Sequence, residues 1–79
     1  MKSLKQQAIE APKYTFYLKG YGFVSNNQGL RGIVFTMDIN KAENYAEGFD
    51  NFEVKQGYWN AIARLHLKDK TLTFKKINI

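Results

Sequence analysis

Hydrophobic and polar positions alternate from Tyr14 onward. Tyr14, Phe16 and Leu18 interleave with Thr15, Tyr17 and Lys19, the period of two that marks a strand. Gly20 permits a tight reversal. Tyr21, Phe23 and Ser25 then alternate with Gly22 and Val24, which predicts a second strand. Asn26-Asn27-Gln28-Gly29 is turn chemistry. The run Gly32-Ile33-Val34-Phe35-Thr36 predicts a third strand, apolar enough to be central. Asp38 is placed to N-cap a helix in which Ile39, Ala42 and Tyr45 or Ala46 recur at helical spacing, with Gly48 ending it.

Beyond Gly48 the pattern admits two readings. Either Asp50 caps a second short turn carrying Phe49 and Phe52, or Phe52–Lys55 is a short strand. Ala61–Leu67 fits a strand by alternation, and the spacing of Trp59, Ile62, Ala63 and His66 also fits a helix. The next segment favours the strand. Lys68-Asp69-Lys70 suits a hairpin loop, and Thr71-Leu72-Thr73-Phe74 is rich in β-formers. A terminal hairpin of Ala61–Leu67 with Thr71–Ile77 is therefore expected. The whole reads as an α+β fold in the order β-β-β-α-β-β: a small antiparallel sheet of about five strands with one short helix. An OB-like β-barrel is the alternative. Residues 1–13 form an N-terminal arm, helical or frayed, that Pro12 stops; residues 14–79 form a single domain.

Composition narrows the function. Seventy-nine residues make one domain. With no cysteine, disulfides and thiolate metal sites are excluded, and a single histidine rules out a multi-histidine centre. No apolar run approaches the ~18 residues needed to cross a bilayer. No signal peptide is visible either, so the chain is expected to be cytoplasmic and away from membranes. The twelve aromatic residues must fill a core or face a partner. Net charge is +5, and it is unevenly placed: +4 over residues 1–37, −4 over 38–53 and +5 over 54–79. This balance favours an acidic macromolecular partner, either nucleic acid or the acidic face of a protein.

One motif carries a functional suggestion. Lys19-Gly20-Tyr21-Gly22-Phe23-Val24-Ser25-Asn26 fits the RNA-binding octet K/R-G-F/Y-G/A-F-V-x-F/Y at seven of eight positions. On a regular strand Lys19, Tyr21 and Phe23 would share one face. Two rings ~7 Å apart suit successive unstacked bases, each contributing about 1–3 kcal/mol. Lys19 and Arg31 would neutralise phosphates, and Phe35 would extend the platform. Residues 13–36 resemble the first nucleic-acid motif of cold-shock domains, with Asn26 standing where that motif has an aromatic. A second resemblance rests on Tyr17-Leu18-Lys19-Gly20-Tyr21-Gly22-Phe23-Val24-Ser25 followed by Phe35-Thr36-Met37-Asp38-Ile39-Asn40-Lys41-Ala42. Those segments look like small phage proteins of Gram-positive bacteria, staphylococci especially. That resemblance implies an accessory protein that binds a host or anti-phage defence factor.

Other residues add less. His66 has only Asp69 near it in sequence, so no acid–base–nucleophile set assembles and no enzyme is expected. The acids Asp38, Glu43, Glu47, Asp50 and Glu53 lack calcium-loop spacing, and no metal or cofactor is expected. Tyr58 and Trp59 are either interface anchors or core. The expectation is a non-enzymatic binding protein, monomeric or weakly dimeric. Single-stranded nucleic-acid binding through the KGYGFV strand is its alternative.

Overall fold

The computed structural model describes residues 3, 6, 7, 10–29 and 32–79. The elements are β1 (Lys13–Leu18), β2 (Gly22–Val24), β3 (Phe35–Thr36), a 3-10 turn (Ile39–Lys41), β4 (Tyr45–Ala46), α1 (Phe52–His66) and β5 (Lys75–Asn78). All five strands form one antiparallel sheet, curled into a half-barrel around one helix. The α+β class with about five strands and one helix is as expected. The sheet does not close into the OB-like alternative: among the described residues β3 pairs only with β2, and β5 only with β1.

β1 is the axis of the sheet. Tyr17 pairs with both Phe23 of β2 and Lys75 of β5, and Tyr14 with both Tyr45 of β4 and Asn78 of β5. A residue has two strand edges, so β5 runs along one edge of β1 while β2 and β4 share the other. Past Val24 the β1–β2 hairpin splays, and residues 42–46 enter the gap. Glu43 N donates to Val24 O at 2.8 Å, Ser25 bridges Ala42, and Thr15 Oγ1 donates to Glu43 O. The buried Thr15 hydroxyl is thereby satisfied, as burial demands.

The alternation of β1 sorts its side chains. Tyr14, Phe16 and Leu18 are sealed beneath α1 with Val24, Trp59, Ala63 and Phe74. Phe16 stacks on Phe52 at 5.6 Å and meets Phe74 edge-on at 6.3 Å. Offset and edge-on ring pairs of this kind add about 0.5–1.5 kcal/mol each beyond area burial.

α1 is capped by Asn51, whose side chain accepts from Val54 N at 3.1 Å. Its inward side chains do more than pack. Gln56 Nε2 donates to Phe74 O, Asn60 Oδ1 accepts from Phe74 N, and Arg64 Nε donates to Leu72 O, at 2.9, 2.8 and 2.7 Å. These residues stand four apart, so they form one row on the helix. They satisfy the backbone of residues 72–74 as a neighbouring strand would.

Four expectations are corrected. The helix expected after β3 is a single 3-10 turn capped by Asp38, whose carboxylate takes Asn40 N at 2.9 Å. The open edge of β1 draws the following residues into β4 instead. Asp50 does not cap the next helix; it accepts from Ala46 N at 2.8 Å, and Asn51 caps. The second strand starts at Gly22 and the third at Phe35, both later than the pattern implies. The terminal hairpin is absent: Ala61–Leu67 belongs to α1 and its C-cap, the strand expected from Thr71 begins only at Lys75, and the helix falls between β4 and β5. Ala, Arg and Leu within Ala61–Leu67 are good helix formers, and the helix buries Trp59 and Ala63 with Phe52 packed against the core. In the N-terminal arm, Gln6, Gln7 and Glu10 are helical, and Ser3 Oγ accepts from Gln6 N.

Lys68 follows the C-cap of α1 with φ 55, a left-handed position that glycine tolerates best. Replacing Lys68 by Gly is expected to stabilise the domain by about 1 kcal/mol in urea titration. Gly22→Ala should do the reverse. At φ 126 a Cβ there would lie 2.8 Å from Thr36 O, and the loss should be about 1–3 kcal/mol in the same measurement.

Candidate binding surface

The Gly-aromatic hairpin builds one end of the sheet. Lys19, Gly20 and Tyr21 form the turn, with Tyr21 N donating to Leu18 O at 2.9 Å and Gly20 at φ 89. Because Tyr21 lies in this turn, its ring leaves the strand's alternation and packs on Phe35 at 5.3 Å. Phe35 pairs with the buried Val24, stands on the helix side of the sheet and stacks on Phe74 at 6.2 Å. Phe23 points the other way and packs against its cross-strand neighbour Tyr17 at 5.1 Å. The expected platform, with Lys19, Tyr21 and Phe23 on one strand face, is therefore corrected. Its two rings lie on opposite faces of the sheet.

Met37 approaches Gly22, the residue that follows Tyr21. Its sulfur would lie 3.1 Å from a Cβ placed on Gly22, and its side chain is 74% exposed; Tyr21 is 42% exposed. The result is an aromatic–thioether patch, Tyr21–Gly22–Met37 over Phe35, with exposed Lys19 in the adjoining turn. The remaining nominated residues lie elsewhere. Trp59 belongs to the core and donates Nε1–H to Tyr45 Oη at 2.8 Å. Tyr58 is exposed on the outward side of α1. Arg31 lies outside the described residues. Met37 is not legible in the sequence because only the spatial approach of β3 brings it to Gly22, next to Tyr21.

The structure also explains where the positive charge goes. Several acids are committed internally. Asp38 and Asp50 hold backbone amides, and Glu47 pairs with Lys76 at 2.8 Å. That ammonium also lies 5.0 Å from the Tyr14 ring centroid. Asp69 accepts from the Thr71 hydroxyl and amide, bonds that hold its carboxyl below the usual range. Lys19, Lys41, Lys68, Lys70 and Lys75 are exposed and form no ion pair among the described residues. These lysines are left to meet an acidic partner.

His66, expected on a strand, sits at the end of α1 against Gly32, where a Cβ would lie 3.5 Å from Nδ1. Among the described residues no group of three or more His, Cys, Asp or Glu side chains is placed to hold a metal ion. A shallow, open depression lies at the start of α1, lined by Gly48, Phe49, Asp50, Asn51, Phe52 and Glu53. Comparison with protein-family models, curated proteins and solved structures finds no match.

Burial raises the phenol pKa of both Tyr14 and Tyr45. Asp50 adds to the effect at each, Glu47 does so at Tyr14, and the Trp59 hydrogen bond opposes it at Tyr45. An unfolded chain releases these protons near pH 10, before the folded chain does. Stability is therefore full below about pH 10 and falls as pH rises through the raised values. Urea midpoints measured from about pH 8 to 11 should show this decline, and Tyr45→Phe should make it shallower.

Proposed function

We propose that this is a non-enzymatic accessory protein of the phage type. It binds an acidic surface of a larger host-cell protein, such as an anti-phage defence factor, through the end of the sheet formed by Tyr21, Met37 and Lys19. The observation that carries this reading is the exposed aromatic–thioether patch beside a lysine that forms no ion pair among the described residues. Aromatic and methionine side chains are enriched at protein interfaces, and methionine adapts its shape to a partner. The surrounding exposed lysines steer an acidic partner from a distance. Base stacking along one strand is less well supported, because Tyr21 and Phe23 stand on opposite faces.

The test is a quantitative pull-down from nuclease-treated host lysate with the wild-type chain and with Tyr21→Ala combined with Met37→Ala. The double variant is expected to keep its melting temperature and lose a specific partner by at least ~tenfold. Equal recovery by both proteins would refute the assignment of this surface. In parallel, oligo-dT and oligo-U are titrated at two salt concentrations. Binding that weakens steeply with salt and is lost in the same variant would replace the protein partner with nucleic acid.

A further inference from the structure

The helix has a second apolar face. Val54, Tyr58, Ala61 and Leu65 recur at steps of four, three and four, which places them on one stripe of α1. The stripe lies opposite Phe52, Trp59 and Ala63, which face the core. All four are exposed; Val54 is 63%, Tyr58 57% and Leu65 72% accessible. Gly57 adjoins the stripe and is also exposed. An amphipathic helix docked on a sheet ordinarily shows water a polar face. This one shows water a second hydrophobic seam.

We propose that this seam is a self-association surface, on which a second copy of the chain packs its own α1 antiparallel about a two-fold axis. The stripe is self-complementary in that direction. Val54 of one copy comes level with Leu65 of the other, and Tyr58 comes level with Ala61. The large ring then lies over the small Ala61 and Gly57, and two short side chains allow the helices the 8–10 Å approach typical of packed helices. Charge favours the same direction. The first turn of α1 carries the exposed Glu53, and the exposed Lys68 stands just past its last turn. An antiparallel mate sets each acidic end beside a basic end and opposes the helix dipoles. A parallel mate would set like ends together. The contact is isologous, so it closes at two copies.

The chain contains no cysteine, which makes the geometry directly testable by disulfide trapping. Val54→Cys and Leu65→Cys proteins, mixed and mildly oxidised, are expected to yield a mixed disulfide-linked dimer, with little crosslinking of either protein alone. Efficient self-crosslinking of Val54→Cys alone would overturn the antiparallel arrangement. Sedimentation velocity over a range of protein concentrations should show a monomer–dimer equilibrium that Leu65→Glu weakens at least ~tenfold. This exposed position should leave the melting temperature of the monomer unchanged. A wild-type chain that stays monomeric at several hundred micromolar overturns the proposal. The Tyr21→Ala, Met37→Ala double variant should dimerise as wild type does, so the two surfaces can fail separately.

Discussion

The fold depends on β1 having both of its edges occupied. Its core-facing side chains carry the interior, and its backbone serves three other strands. Short partners suffice because each pairs with only part of β1: β2 near its end, β4 near its beginning, and β5 along its middle. Strands of two or three residues would be unstable as free hairpins. Here they are held because each completes an edge that would otherwise leave backbone groups of a buried strand unpaired.

The link between sheet and helix is of another kind. Residues 72–74 belong to no strand, and the row Gln56, Asn60 and Arg64 takes the place of a neighbouring strand for their backbone groups. This explains why the end of the chain was hard to read. Thr71–Phe74 has strand composition, yet the strand begins only at Lys75, because the partners of residues 72–74 are helix side chains. The inferred hairpin partner, Ala61–Leu67, fits periods of both two and 3.6, so the error in one segment passed to the other. Tyr14–Leu18 was read correctly because its alternation is local and its aromatic residues leave no competing period.

The candidate surface was legible in part. Lys19, Tyr21 and Phe35 stand out through the Gly-aromatic motif and its extension, and Tyr21 packs on Phe35 with Lys19 in the same turn. Their arrangement depended on where the hairpin turned. The pairing of Leu18 with Gly22 makes Tyr21 a turn residue and sends Phe23 to the other face. A single strand's sequence does not reveal a register that two strands settle between them. The outward seam of α1 was hidden for a simpler reason: half of it lies in the segment read as a strand. The two surfaces lie on different elements, and a dimer formed through the seam would display two copies of the Tyr21–Met37 patch, giving a multivalent target a gain in avidity.

The pairing of β1 with β5 also governs the order in which the molecule can assemble. Tyr14 meets Asn78, and Ile79 N donates to Lys13 O, so the central strand finds one of its neighbours only after nearly the whole intervening chain has been laid down. The β1–β2 hairpin can close early on the ribosome, while the last edge of β1 waits until residues 75–78 have been made. Such long-range closure slows the final step of folding. During that delay the nascent hairpin presents an unfilled strand edge, a site at which chaperones or neighbouring nascent chains can engage it.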